Sequence, residues 1–362
     1  MVIGIDGNEA NVKKRVGVSI YSVSLLHYFQ QKADVSTQFK IFLREKPLED
    51  LPKPNDYFSY EMVKGELLWS QIFLPARLNL RRDIDVFFTP AHYAPRLCPV
   101  PFVVTIHDLS YFYYPDEFLK KDLYKLQNWT KYSVQRAKKI ITVSQNTKKD
   151  IMKFYHVPEN KIKVVYNGYE KIGQNNELGI KSYGNYILYV GTLQPRKNVA
   201  MLIHTFNKFL SENLDFKLII VGRKGWLYNE IFALVERLKL KDSVIFTDYV
   251  SDGELLQLYK NAFCFVLPSL YEGFGIPVLE AMSNGCPVIC SNTSSLPEIG
   301  GKAALYFNPK SEKDLLKKVN QLKDDEKLRN ELIRKGKEQV KKFSWQTCAQ
   351  QTLEIIKAAT KQ

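Results

Sequence analysis

The stretch LPSLYEGFGIPVLEAMSNGCPVICSN, Leu267 to Asn292, carries two glutamates, Glu272 and Glu280, with seven residues between them and Gly273, Gly275 and Pro277 in the gap. Proline suits a helix's first turn and Asn284-Gly285 is a stop signal, so the spacing predicts a helix starting near Pro277. Glu280 then lies about one turn into that helix and Glu272 just before it. Both can face a cleft. The glycines let main-chain amides approach a ligand closely, and a helix N-terminus favours an anion such as a diphosphate. A second set of chemistry-bearing residues is the dibasic pair Arg196-Lys197, which follows the strand-like YILYVGT. Each cation can make a charge-assisted bond to a phosphate, worth about 1.5–3 kcal/mol. Taken alone, the pair would be a solvated helix start. His107 closes FVVTIHD, another strand-like run.

These residues must be positioned by strands, because short runs rich in Val, Ile, Phe and Tyr alternate with helical patterns along the chain, the signature of α/β units with parallel sheets. The rhythm occurs twice. VIGID, QFKIFLR, IDVFFTP, FVVTIHD, KIITVS and IKVVYNG form the first set; YILYVGT, KLIIVGR, SVIFTDYV, FCFVLPS and PVICS form the second. Between them, the polar segment Tyr169 to Asn185 contains three glycines and reads as a linker. The expected units are therefore residues 1–170 and 186–340, with 341–362 forming a terminal helix that packs back toward the first. Doubly wound sheets bind ligands beyond the carboxyl ends of their strands, where His107, Gly191 and the two glutamates fall.

Composition narrows the partners. The chain has 362 residues, enough for two cores, and a formal charge of +14 that points to nucleotides, phosphorylated lipids, an anionic membrane or nucleic acid. Its start, MVIGIDGNEA, lacks the basic and long apolar regions of a signal peptide, and no apolar run reaches 18 residues. The five cysteines, Cys98, Cys264, Cys286, Cys290 and Cys348, include no CxxC and read as reduced thiols of a cytoplasmic protein. Asp83-Ile84-Asp85 has the spacing of a metal-binding DxD but opens a strand, so no metal site is expected. From Lys120 to Lys163 twelve basic residues stand against three acidic ones, several at helical spacing around Tyr124, Trp129 and Tyr132. Such a face suits anionic lipid. Nucleic acid is not expected, since no recognised module accompanies the charge.

The stretch PSLYEGFGIPVLEAMSNGCPV strongly resembles the signature of the family 4 glycosyltransferases, retaining enzymes of the GT-B fold with two Rossmann-like domains facing a cleft. ILYVGTLQPRKNVAMLIHTF resembles the family's phosphate-binding segment, and its GTLQPRKN variant is similar to the mannosyltransferase B-like branch. RVGVSIYSVSLL resembles the first glycine-bearing loop, with Gly17 and Val18 matching and Ser19 in place of the frequent arginine. VVTIHDLSYFYYPDEF resembles the segment carrying the family's active-site histidine. ITVSQNTKKDI matches another family stretch, in which Ser144 and Thr147 read as helix caps. IFTDYVSDGELLQLY resembles the region beside the nucleotide base.

The resemblance implies a metal-independent, retaining hexosyltransferase with a nucleoside diphosphate sugar as donor, GDP-mannose leading, and no cofactor. It implies that Glu272 contacts the transferred sugar and Glu280 the ribose. Arg196 and Lys197 would take the diphosphate, and His107 would serve the reacting centre. Gly17, Gly191, Tyr249, Val250 and the turn Gly273, Phe274, Gly275, Ile276, Pro277, Val278 and Leu279 would complete donor binding. The acceptor would be a hydroxyl of a glycan or lipid-linked intermediate, and the enzyme would be cytoplasmic or peripheral at the membrane's inner face. The alternatives are a non-catalytic sugar-nucleotide-binding protein, a nucleotide-sugar epimerase, or a glycoside hydrolase, whose retaining form would need carboxyls about 5–5.5 Å apart.

Overall fold

The computed structural model describes residues 1–65, 68–170, 183–223, 225, 228–248 and 250–360. The chain divides into two units, Met1–Gly168 with Phe343–Gln362, and Tyr169–Lys342.

In unit 1, seven strands among the described residues form one parallel sheet. They are β1 (Val2–Asp6), β2 (Gln38–Leu43), β3 (Phe58–Met62), β4 (Val86–Thr89), β5 (Phe102–Ile106), β6 (Lys139–Thr142) and β7 (Ile162–Val164), in the order β3-β2-β1-β4-β5-β6-β7. β4 and β5 are buried at every residue, as expected of central strands covered on both faces. The associated helices are α1 (Val18–Gln31), α2 (Phe73–Arg81), α3 (Ser110–Tyr113), α4 (Lys120–Arg136) and α5 (Gln145–Tyr155). One core lies around Ile5, Leu25, Phe29 and Phe88, the other around Leu74, Phe87, Val104 and Ile140.

Unit 2 holds a parallel sheet of order β10-β9-β8-β11-β12-β13, six strands among the described residues. Its strands are β8 (Asn185–Val190), β9 (Phe216–Val221), β10 (Val244–Asp248), β11 (Cys264–Leu267), β12 (Val288–Ser291) and β13 (Ala304–Phe307). The helices are α6 (Val199–Leu210), α7 (Asn229–Arg237), α8 (Asp252–Asn261), α9 (Ile276–Ser283), α10 (Leu296–Gly300), α11 (Glu312–Asp324) and α12 (Glu326–Val340). α8 starts with a full capping box between Ser251 and Glu254. α12 packs on α9 through Gly336, where a β-carbon would lie 3.1 Å from Met282 Cγ. The last helix, α13 (Trp345–Ala358), is capped by Ser344 and packs on α1, with Cys348, Ala349, Leu353 and Ile356 in the core of unit 1.

Two strands differ from the sequence reading. β3 (FSYEM) and β13 (ALYF) are edge strands too short and too mixed in character to stand out as apolar runs. The middle of the expected linker, residues 171–182, lies outside the described residues.

Candidate functional site

In unit 2 the chemistry gathers where β8 and β11 end. β8 is followed by Gly191 and a 3-10 turn, Pro195–Lys197, while β11 is followed by the loop that carries Glu272. The two connections are tied together. Leu270 N–H donates to the Arg196 carbonyl at 2.8 Å, and the Asn198 amide donates to the carbonyls of Pro268 at 3.1 Å and Pro309 at 2.8 Å. These bonds bring Lys197 to Glu272 across 75 residues of sequence, with Lys197 Nζ at 2.6 Å from Glu272 Oε1. The pair is mostly withdrawn from water, the side chains being 15% and 12% exposed.

Serines complete the setting of Glu272. Ser269 Oγ donates to Oε1 at 2.7 Å, Ser294 Oγ accepts from the Glu272 N–H at 2.9 Å, and Ser295 Oγ donates to the carbonyls of Glu272 and Phe274. Burial opposes ionisation of Glu272, but the Lys197 and Arg196 cations, with the Lys197 and Ser269 bonds, outweigh it and hold the carboxyl below its ordinary range. Glu280 has the opposite balance. Burial raises it, a Tyr259 O–H bond at 2.8 Å only partly compensates, and Asp252 adds to the rise. The structure therefore separates the two glutamates electrostatically.

α9 begins at Ile276, with Pro277 in its first turn and Asn284 at its end, as the sequence predicts. Its N-cap, Gly275, has φ 109°, and a β-carbon there would come within 2.8 Å of Leu296, so glycine is required. Gly275 has no side chain with which to cap this N-terminus. The turn residues fall into two groups. Gly273, Ile276 and Pro277 are partly accessible, whereas Phe274, Val278 and Leu279 point into the core. α9 packs the Val278 and Leu279 side chains inward, and the Val278 N–H donates to the Gly275 carbonyl at 3.0 Å. Val250 precedes the Ser251 cap of α8 and is partly buried, while Tyr249 lies outside the described residues.

Sequence reasoning missed Ser269, Ser294 and Ser295, whose isolated hydroxyls carry no spacing signal, and it missed Gly222. Gly222 follows β9 beside Gly191, and a β-carbon on it would lie 1.9 Å from the Gly191 carbonyl oxygen.

Unit 1 carries Gly17 and His107. Gly17 is the N-cap of α1 with φ 44°, and a β-carbon on it would meet nothing within 4 Å. His107 follows β5 and its Nε2 lies 2.7 Å from the Pro90 carbonyl, which only accepts; Nε2 is therefore the protonated nitrogen and Nδ1 the bare one. Tyr21 packs edge-on against the ring at 4.9 Å. Burial, chiefly, and the neighbouring His92 lower the His107 pKa to about 4, so the ring is neutral near pH 7. Ser144 caps α5 as expected; Thr147 instead donates from Oγ1 to the His107 carbonyl at 3.2 Å. Asp83 and Asp85 serve as strand-entry anchors: Asp83 pairs with Lys40 and Arg77, and Asp85 accepts the Val2 N–H.

The basic segment forms α4 and α5, yet only part of the expected aromatic face looks outward. Tyr124 is 64% exposed, whereas Trp129 packs edge-on against Tyr93 and the Tyr132 hydroxyl accepts from the Leu97 N–H. No described helix is long and apolar enough to cross a membrane.

Two Rossmann-like parallel sheets and a lysine-held glutamate ahead of a glycine-started helix are the features to set against known families. The family model for glycosyl transferases group 1 matches residues 170–339, and that for glycosyltransferase family 4 matches residues 41–171. The chain belongs to these glycosyltransferases. It is 33% identical over 270 residues to the O-antigen chain mannosyltransferase B of Escherichia coli, covering 70% of each chain. It is 38% identical over 224 residues to the O-antigen chain mannosyltransferase RfbU of Salmonella typhimurium, covering 61% of each. Among solved structures, the sucrose-phosphate synthase of Thermosynechococcus elongatus matches with a TM-score of 0.76 at 17% identity, covering 99% of this chain and 98% of that one. Anabaena HepE in complex with UDP and glucose matches with a TM-score of 0.73 at 17% identity, covering 98% and 99%. These structural likenesses establish the GT-B fold.

Proposed function

We propose that the chain is a retaining mannosyltransferase that takes mannose from GDP-mannose and adds it to a hydroxyl acceptor in polysaccharide assembly, without a metal ion or other cofactor. The observation that carries this reading is the Lys197–Glu272 pair just ahead of the glycine-started helix α9. A diphosphate leaving group gathers negative charge as the bond to the sugar's anomeric carbon breaks. Lys197, Arg196 and the amides of the Gly273–Leu279 turn stabilise that charge, and fixed donors of this kind need no reorganisation at the moment of reaction. Glu272, kept ionised, accepts from hydroxyls of the transferred sugar, and Glu280 accepts from the ribose. The acceptor oxygen attacks from the face the diphosphate leaves, so the anomeric configuration is kept. Mannose is favoured because both mannosyltransferase relatives share more than 30% of aligned residues with the chain. We also place the enzyme in the cytoplasm, touching anionic membrane through α4 and α5 and binding no nucleic acid.

A thermal-shift panel of nucleotide sugars, followed by a transfer assay with excess chelator and product analysis by NMR, tests this. GDP-mannose at about 100 times its dissociation constant should stabilise the protein by about 2.7 kcal/mol. Transfer should survive chelation and give the donor's own anomer. Preference for another nucleotide sugar, rescue by added magnesium, or an inverted product would each refute the corresponding element. The opposed shifts of Glu272 and Glu280 also fit a hydrolase acid–base pair. Cleavage of a nitrophenyl mannoside without nucleotide would favour that second reading.

A further inference from the structure

α8 packs against α9 and carries Tyr259 to the side chain of Glu280. The Tyr259 ring is fully buried and meets Phe265 of β11 edge-on, the ring centroids 5.6 Å apart. The residue before it is fixed as well, because the Tyr186 hydroxyl of β8 donates to the Leu258 carbonyl at 2.8 Å. The Tyr259 hydroxyl therefore sits at a set point, and it donates to Glu280 Oε2 at 2.8 Å. The main chain of Glu280 is steadied separately, since its carbonyl accepts from the Asn284 side-chain amide at 2.9 Å.

This arrangement differs from the one at Glu272. Lys197 neutralises Glu272, whereas among the described residues Tyr259 is the sole donor to the Glu280 carboxyl, and no lysine or arginine pairs with it. A neutral hydroxyl orients a carboxylate without cancelling its charge. Oε2 is committed to Tyr259, and Oε1 has no hydrogen-bond partner among the described residues. An ionised oxygen in that state accepts strongly from a neutral hydroxyl, since a charge-assisted bond is about twice as strong as a neutral one. Burial and the Asp252 charge draw Glu280 toward its protonated form, in which one oxygen becomes a donor; the Tyr259 bond opposes that drift.

We propose that Tyr259 is a positioning residue that presents Oε1 of Glu280 to the donor's ribose, so that the choice between ribose and deoxyribose nucleotides depends on a side chain that does not touch the nucleotide. This inference rests on the transferase reading above, which gives Glu280 the ribose.

Calorimetry with GDP and UDP, each beside its 2′,3′-dideoxy form, tests it on the full chain of wild type, Tyr259→Phe, Glu280→Gln and the double variant. Wild type should prefer the ribose form of the nucleotide it binds by about tenfold or more. Tyr259→Phe should cut that preference to about twofold or less while leaving affinity for the dideoxy form within about twofold of wild type. A purely structural role for Tyr259 would instead weaken both forms alike. In the Glu280→Gln background, Tyr259→Phe should change the preference no further. No ribose preference in wild type, a preference kept in Tyr259→Phe, or equal weakening of both forms overturns the proposal and leaves the transferase reading standing. Binding of neither nucleotide by wild type overturns that reading and this inference with it. If Tyr259→Phe does not fold, a crystal structure of wild type with the bound nucleotide decides. A ribose hydroxyl on Oε1 with Tyr259 still on Oε2 supports the proposal; a ribose that displaces Tyr259 from Oε2, or lies away from Glu280, overturns it.

Discussion

Replacing Lys197 by methionine keeps most of the aliphatic bulk and removes the charge that faces Glu272 at 2.6 Å. Removing one partner of a buried ion pair typically costs 3–5 kcal/mol, because the other charge is left uncompensated. Here Ser269 still donates to Glu272 and the Arg196 charge still acts on it, so the lower end applies, about 3 kcal/mol. For a unit of this size, that is a fall in Tm of roughly 6–12 °C. The double variant Lys197→Met with Glu272→Gln removes both charges and should recover at least about 1 kcal/mol relative to the sum of the single changes. Urea unfolding of wild type, both single variants and the double variant gives the coupling directly. A coupling below about 0.5 kcal/mol would show that the two charges do not depend on each other and refute the argument from the pair. Transfer measured at saturating donor adds a second test. Loss of one leaving-group cation should slow it by about two to three orders of magnitude, with no recovery in the double variant.

Glu280→Ala should weaken donor binding more than Glu272→Ala, which should chiefly slow transfer, since contact with the transferred sugar strengthens as charge develops. Calorimetry with turnover distinguishes them, and wild-type values for either would remove that residue from the site. His107 and Asp6 should tilt the pH dependence of stability in opposite senses. With a folded pKa of about 4 against an ordinary 6.5, neutral His107 contributes above pH 6.5 and loses about 3 kcal/mol as pH falls to 4. Asp6, raised to about 6 by burial, opposes folding above that pH and stops doing so as pH falls toward 4. Between pH 6.5 and 4, His107→Gln should therefore lose less stability than wild type and Asp6→Asn more; parallel slopes would refute both assignments. The α4–α5 face, with exposed Leu119 and Tyr124 among lysines, should sediment with anionic vesicles and release as salt rises. Equal weak binding to neutral vesicles would exclude that surface.

What was legible in the sequence had a local cause. β5, β8 and β11 are continuous apolar runs, and α9 is bracketed by Pro277 and Asn284-Gly285, so their positions follow from burial and stop signals close at hand. The type and order of the chemistry-bearing residues were legible in the same way. Their partners were not. Lys197 and Glu272 are brought together by the Leu270 and Asn198 bonds, and Glu280 meets Tyr259 because α8 and α9 pack together. No pattern along the chain encodes those meetings. Trp129 and Tyr132 show the same limit in reverse: helical spacing put them on α4, but Tyr93 and the Leu97 amide decided which way they would be used.

The place of α13 in unit 1 has a consequence for synthesis. The face of the first sheet beneath α1 is completed by Cys348, Ala349, Leu353 and Ile356, and the chain passes so close to Gly168 that a β-carbon there would strike the Trp345 nitrogen at 2.1 Å. Ribosomes add about 5–20 residues per second, so the stretch Tyr169–Lys342 occupies roughly 9–35 s between the emergence of the last strand of unit 1 and that of its final helix. During that interval the contiguous second unit has all its segments and can fold, while the first waits with an apolar strip uncovered. The unit made first is therefore the one finished last.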